Sequence, residues 1–418
     1  MARSGATIPL GGTGERIGAD TPALLRPEEG LHFLTVAPRL NGAYARQLAR
    51  EDVDWKHFAD IALSDGTLAA AARALKEMAV AVPDELERSI RNYSAFSDFR
   101  LLQAQALLDR TVKALSNAGI QVMLIKGAAL ASFVYDDFTE RNMGDLDLLV
   151  APDDGPRAQQ IASESGWRRE HPEEGDDEYV EHHHLPPLID EQGIELQLEI
   201  HTDLFPKGHP LKYEVAALRA RANTALLGTT KVLVPSLEDM LLYACVHLSW
   251  SHEMRSGGWR TFRDIAELIA KPAFSWDRFL GIAAEASVAG SVYWALRLFT
   301  SMCRVSIPSG VLARLRPATP SRILDAVEWH FVLQLVPQAR VNPSERLSRF
   351  LWNLGMRPTL AGHGTIRPWH FADEKLAKTN PKTAFEPRNH WWLQARGLSN
   401  AVSYLWLLFA PTRTDKPR

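Results

Sequence analysis

Apolar and polar positions fall into distinct textures along this chain. Residues 1–30 show no periodicity and are broken by Gly11-Gly12, Pro22 and Pro27, which predicts a loose arm. From residue 44 to 119 the chain is rich in Ala, Leu and Arg, and 69–78 is almost unbroken in good helix formers. Asp84 and the stretch 97–118 predict one long amphipathic helix, with Phe99, Leu102, Ala106 and Val112 among its apolar positions. The texture changes at Gly119. A short apolar run at 121–125 predicts a strand, 128–135 a helix, 145–150 a second strand, and 156–165 a helix closed by Gly166. Strands at 185–189 and 194–200 then flank a hairpin turn at Asp190-Glu191-Gln192-Gly193. This β-α-β-α-β-β order predicts a small mixed sheet with helices packed on it.

Helical spacing returns after Pro235. Ser236 and Asp239 give a start resembling a capping box, and Leu237, Met240, Leu241, Ala244, Cys245 and Leu248 recur at helical intervals. Further helical stretches cover 259–270, 276–303 and 320–338; a Pro- and Trp-rich segment at 357–392 is less regular, and 398–409 closes as an apolar helix. The expected architecture is α+β: an N-terminal arm and helical region at 1–118, a mixed-sheet core at 119–230, and a C-terminal helical domain at 231–418.

Composition adds constraints rather than detail. The chain has 418 residues, 46% hydrophobic and 23% charged, enough for two or three well-buried cores of ordinary globular type. A formal net charge of −3 exerts no global pull on nucleic acid. Cys245 and Cys303 sit in apolar helical contexts without metal-type spacing and read as buried thiols of a reducing compartment. Residues 1–20 lack the apolar core of a signal peptide, and no run reaches the roughly 18 apolar residues of a membrane span, so a cytoplasmic location is expected.

Candidate chemistry concentrates at 122–150. The first strand ends in Lys126-Gly127, and the second reads Gly144-Asp145-Leu146-Asp147-Leu148-Leu149-Val150. Strand side chains alternate, so Asp145 and Asp147 share a face while Leu146, Leu148 and Val150 enter a core. Two like charges this close require a cation between them; paired hard oxygens suit Mg²⁺, which keeps other positions for water and phosphate. In the run 194–201 the same alternation puts Glu195, Gln197, Glu199 and His201 on one face. Beside Asp145 and Asp147, Glu199 would complete a three-carboxylate site; the alternative is a solvent-facing edge hairpin.

The ordered set Leu124-Ile125-Lys126-Gly127-Ala128-Ala129-Leu130, Arg141, Asp145-Leu146-Asp147-Leu148-Leu149-Val150 and Glu199-Ile200-His201 resembles the uncharacterised bacterial nucleotidyltransferases of the DNA polymerase β-like superfamily, over residues 121–205. The resemblance implies a small mixed sheet with a Gly-containing turn, an acidic pair and a later acidic residue, holding Mg²⁺ or Mn²⁺ and a nucleoside triphosphate. It implies Asp145, Asp147 and Glu199 as catalytic carboxylates and metal ligands, and Lys126, Gly127, Ala128 and Arg141 as nucleotide-binding. His184 and His201 join these as cleft residues that contact nucleotide or shuttle protons, with a transition-metal site at His182, His184, Glu199 and His201 as an alternative. Where the wider superfamily has Ser after the glycine, this chain has Ala128, so a phosphate-binding hydroxyl is missing and Lys126 supplies positive charge instead. The implied reaction moves a nucleoside monophosphate from an NTP to an acceptor and releases pyrophosphate. A small molecule, peptide or protein is favoured over nucleic acid as that acceptor.

Other features have bland readings. His182 and His183 read as a solvated cluster, the acidic 172–181 as a solvated loop, and His247 as a satisfied core residue. Arg260, Arg263 and Asp264 either face the cleft from the helical domain or form surface pairs, the surface reading being preferred. Trp391, Trp392, Trp406 and Phe409 read as packing of a terminal helix, with docking on a membrane surface or a partner as the alternative. Two rival functions remain. One is a nucleotide- or partner-binding protein of the same fold without turnover, favoured by Ala128. The other is a metal-dependent glycosyltransferase, which needs a larger N-terminal β-α nucleotide fold.

Overall fold

The computed structural model describes residues 25–336 apart from 174, 176–178 and 180, together with 343–356, 404, 405 and 408. The N-terminal region is helical: α1 (Pro27–Leu34), α2 (Pro38–Leu48), α3 (Trp55–Ser64), α4 (Leu68–Glu77) and the long α5 (Asp84–Asn117). Of the expected loose arm, residues 1–24 lie outside the described residues, and the remainder is not loose. Pro27 opens α1, where a missing N–H is no loss, and the Glu29 carboxylate accepts from the Arg26 N–H at 2.8 Å. Leu31, Phe33 and Leu34 are buried, and the Trp259 indole N–H donates to the His32 carbonyl at 3.0 Å and the Thr35 hydroxyl at 2.9 Å.

The amphipathic face of α5 differs from the expected one. Leu101, Ala104, Leu108, Val112 and Leu115 form the buried stripe, while Phe99, Leu102 and Ala106 are exposed. A helix turns about 100° per residue, so a register one residue off swings the inferred face by more than a quarter turn, enough to bring Phe99 and Leu102 to the surface while Val112 stays buried. Among the described residues no strand precedes β1, so the N-terminal β-α fold of a glycosyltransferase is absent there.

The core follows as β1 (Met123–Ile125), α6 (Lys126–Phe133), β2 (Asp145–Leu149), α7 (Gly155–Glu164), β3 (Trp167–Arg169), β4 (Leu188–Asp190), β5 (Gln197–His201), α8 (Val215–Arg221), β6 (Asn223–Leu227) and β7 (Thr230–Val234). The described strands form one seven-stranded mixed sheet in the order β3-β4-β5-β2-β1-β7-β6. Central β2 pairs antiparallel with β1 and parallel with β5, and β1 pairs parallel with β7. Leu146, Leu148 and Leu149 are wholly buried, as expected of a central strand covered on both sides. The sheet therefore runs on through Val234, and β3, β6 and β7 add to the strands anticipated from periodicity.

The remaining helices are α9 (Leu237–Trp250), α10 (Gly258–Ile269), α11 (Trp276–Glu285), α12 (Ala289–Cys303), α13 (Ser309–Leu315), α14 (Ser321–Leu335) and α15 (Glu345–Met356). Ser236 caps α9 by accepting from the Asp239 N–H at 3.1 Å. Both cysteines are buried free thiols, and no described helix is long and apolar enough to cross a membrane. The segment 357–392, with Trp391 and Trp392, and also Trp406 and Phe409, lie outside the described residues.

The hairpin before the site is shorter in strand and longer in turn than its sequence suggests. β4 and β5 pair antiparallel with Leu188 opposite Leu198, and the turn extends to Leu196. The Asp190 carboxylate accepts from the backbone N–H groups of Gln192, Ile194 and Leu196 at 2.8, 3.0 and 2.9 Å, drawing that backbone out of the ladder. Glu195 consequently leaves the polar face of β5, with a φ of 55°. Burial alone would raise the Asp190 carboxyl, but the N–H groups of Leu196, Ile194, Gln192 and Gly193 hold it below its ordinary value. Asp190→Ala is expected to lower the unfolding free energy by about 2–4 kcal/mol in chemical denaturation. Because the folded carboxyl is depressed, that stability is present above its unfolded pKa and lost as pH falls through the folded value. The wild type and Asp190→Ala should accordingly converge in stability on acidification.

Candidate active site

Parallel register between β2 and β5 sets the site. It places Asp145 opposite Gln197, Asp147 opposite Glu199, and Leu149 opposite His201. Asp147 and His201 are wholly buried, whereas Asp145 and Glu199 are half-buried at the cleft. One ligand atom each from Asp147, Glu199 and His201 lies within 4.8 Å of the others. The expected acidic triad is thus rearranged: Asp147 and Glu199 converge as anticipated, but His201 takes the third place in the tight cluster. Asp145 sits one alternation further out along β2 and also lines the cleft.

Two like charges side by side in a buried position need a counter-charge, and Lys126 provides it. Its Nζ is 2.6 Å from Asp147 Oδ1 and 3.5 Å from Glu199 Oε2, and the imidazole Nε2 of His201 is 2.8 Å from Asp147 Oδ1 and 3.2 Å from Glu199 Oε2. Burial works against the Lys126 ammonium, but the charges of Asp147 and then of Tyr243, Glu199 and Asp145 outweigh it and hold its pKa well above the ordinary value. Glu199 shows the reciprocal effect: burial opposes the carboxylate, yet the His201 hydrogen bond and the Lys126 charge hold it well below the usual range. Asp145 moves the other way, raised by burial and by the charge of Asp147 against the pull of Lys126.

The turn that delivers Lys126 is unusual. Lys126 begins α6 with φ 49°, a left-handed conformation that normally falls to glycine, while Gly127 beside it has no positive φ. A Cβ at Gly127 would meet Arg141 Nη1 and Met143 at 3.5 Å, ordinary contact, so the backbone freedom expected of Gly127 is exercised by Lys126 instead. Ala128 is wholly buried, and the side-chain position of the missing serine faces the core. The first N–H groups of α6 lie beyond the reach of intrahelical bonds, and Lys126 and Gly127 both line the cleft.

Arg141, expected to reach phosphate, is held by the C-terminal region. Its Nε and Nη2 donate to Asp264 Oδ1 at 3.0 Å and Oδ2 at 2.9 Å, and the Tyr135 hydroxyl donates to Asp264 Oδ1 at 2.7 Å. Asp264, read from sequence as surface, is buried, and Arg260 lines the cleft. Arg263 faces away from it, donating to the Val36 carbonyl at 2.8 Å and pairing with Glu267 at 2.7 Å. His184 joins the site through an antiparallel bridge to His201; its Nδ1 donates to the Leu185 carbonyl at 2.8 Å, so the neutral ring keeps Nε2 as an acceptor. His182 and His183 also line the cleft, and the His183 ring lies 5.1 Å from that of His201. Burial, followed by His201 and His184, pushes the His183 imidazole down to about 2. His247 is not a core residue either: it stacks on Tyr243 at 6.1 Å and lines the same cleft.

The cleft between sheet and C-terminal helices has a volume of about 450 Å³, within the range of small-molecule sites. Asp147 Oδ2 is a buried carboxylate oxygen with no hydrogen-bond partner among the described residues, beside nitrogen and oxygen donors on Glu199 and His201. That donor set fits a divalent cation, with Lys126 as its competitor for Asp147. Lys126→Met is therefore expected to strengthen Mn²⁺ binding in calorimetry by roughly tenfold, about 1.4 kcal/mol. It should also lower metal-free stability by about 3–5 kcal/mol, because the carboxylates lose their buried counter-charge. Unchanged Mn²⁺ affinity would show that the ammonium does not compete for the site.

No curated protein and no solved structure matches the chain. The model of a family described as uncharacterised nucleotidyltransferase matches residues 51–304, more than half of the sequence. That span runs from α3 to α12 and so takes in the acidic strands, the Lys126 turn and α10 together. By that match, in agreement with the order of its acidic strands, the chain belongs to the uncharacterised nucleotidyltransferase family.

Proposed function

We propose that the protein is a metal-dependent nucleotidyltransferase that moves a nucleoside monophosphate from an NTP to an acceptor and releases pyrophosphate. The observation that carries this reading is the level pairing of Asp147 with Glu199 on adjacent parallel strands, at the wall of a nucleotide-sized cleft, in a chain of this family. Asp147, Glu199 and His201 would hold Mg²⁺ or Mn²⁺, with Asp145 at the cleft mouth beside them. A divalent ion bound there supplies charge neutralisation at the phosphates and lowers the pKa of a bound oxygen.

In the transfer, the acceptor oxygen forms a bond to the α-phosphorus as the bond from that phosphorus to the β-phosphate bridging oxygen breaks. Pyrophosphate leaves with that oxygen and its electron pair. Asp145 receives the acceptor proton in this reading, since it lines the cleft one alternation along β2 from Asp147 without belonging to the tight Asp147–Glu199–His201 cluster. Lys126 draws phosphate charge towards the start of α6, whose free N–H groups add donors. Such positioning and charge stabilisation supply most of the catalysis in phosphoryl-type transfers.

One observation favours the rival reading of nucleotide binding without turnover. Lys126 already neutralises Asp147 at 2.6 Å, which is what a fold that had given up its metal would show. Transfer of α-phosphorus label separates the two. With Mg²⁺ or Mn²⁺, each labelled NTP and cell extract as the source of acceptors, the wild type should label a product. Asp147→Asn should lose at least roughly 100-fold of that rate, about 2.7 kcal/mol. Equal labelling by both proteins, or none by either, would remove the transfer reading.

A further inference from the structure

α10 carries four charged side chains, Arg260, Arg263, Asp264 and Glu267, and three are engaged. Arg263 serves Val36 and Glu267, and Asp264 serves Arg141 and Tyr135. Arg260 lines the cleft, yet among the described residues it makes no hydrogen bond and no ion pair of its own. Its position is nevertheless fixed. Preceding it, Trp259 is anchored to His32 and Thr35, and Gly258 packs so closely that a Cβ there would approach Leu335 to 2.9 Å.

A guanidinium held in place without a carboxylate partner is unfavourable, and a second one nearby makes it more so. Burial, and after it the Arg141 charge, lower the Arg260 pKa, against weaker help from Asp145, Asp264 and Asp65. The folded chain thus keeps a desolvated cation facing the cleft with its donors unspent. Arg141, which lines the same wall, cannot fill that role, because its fork is closed on Asp264. The guanidinium fork matches phosphate oxygens in geometry as well as charge.

We propose that Arg260, rather than Arg141, is the cation of the C-terminal region that binds the polyphosphate of the nucleotide, making α10 one wall of the nucleotide site. The proposal rests on the nucleotide reading above and gives the phosphate-binding role to a residue outside the sheet. In consequence, the acidic strands and Lys126 alone would not hold the nucleotide; the site is complete only with α10 docked.

Isothermal titration of the full chain with inorganic tripolyphosphate, and with each of the four common NTPs, tests it. Arg260→Gln should weaken tripolyphosphate and the bound NTP by roughly 10- to 100-fold. Arg260→Lys should recover part of that loss through its point charge. Arg263→Gln, outside the cleft, should leave affinity unchanged. The melting temperature supplies a readout that a structural arginine would not give. Without ligand, Arg260→Gln should melt no lower than the wild type, because an uncompensated charge has been removed, while the tripolyphosphate-induced rise is lost. A wild type that binds no NTP would remove the nucleotide reading itself. A wild type that binds while Arg260→Gln binds equally, or a variant that only melts lower, would overturn the assignment of Arg260 and leave that reading standing.

Discussion

Two carboxylates held side by side in the centre of a sheet are the constraint around which the site is arranged. Asp147 and Glu199 face each other across the parallel β2–β5 pair, and neither strand can slip by a residue without sending its leucines into the cleft and its acids into the core. Charges so placed must be compensated where they stand. The chain does so with the Lys126 ammonium and the His201 imidazole, both converging on Asp147 Oδ1. That requirement accounts for the left-handed backbone at Lys126: the strand must end abruptly, and the side chain must turn back over the acids just as α6 begins.

The second dependency links the sheet to the helices behind it. Arg141 precedes β2, Tyr135 follows α6, and both close on Asp264 of α10. A buried aspartate shared by an arginine fork and a phenol ties the rear wall of the cleft to the carboxylate strand. The helices beyond Pro235 are therefore part of the site's architecture rather than an appendage, in keeping with a family match that covers them as far as residue 304. α1 contributes from the other side through His32, which stacks on Trp259 at 5.9 Å and accepts or donates at Thr67 Oγ1 at 2.9 Å. Elements distant in sequence thereby fix the first turn of α10, where Arg260 stands.

Much of the site could be read in advance because strand periodicity is local. Alternation in Asp145–Leu149 and Gln197–His201 is a property of each segment, and it placed the acids on one face and Leu146, Leu148, Leu198 and Ile200 on the other. The hairpin turn defeated the same rule at Glu195, because the Asp190 side chain competed for backbone N–H groups in a way that alternation does not encode. For α5 the helix was legible but its buried face was not, since exposed Phe99 and Leu102 look no different from core residues until a neighbour does or does not cover them. β6 and β7 had a usable signal in Gly228-Thr229, a two-residue Gly-containing turn between paired Leu227 and Thr230.

By itself the sequence determined the first strands and helices of the core, the identity of its acidic strands, and most of the charged side chains that gather around them. Tertiary structure alone decided which of them meet. It drew His201 rather than Asp145 into the tight cluster, closed Arg141 on Asp264, and left Arg260 open to the cleft. The reason is that a periodic pattern specifies the face a residue occupies on its own element, whereas ion pairing depends on distances of a few ångströms between elements 54 to 123 residues apart. Those distances are set by strand register and helix docking, which no segment of the chain contains by itself.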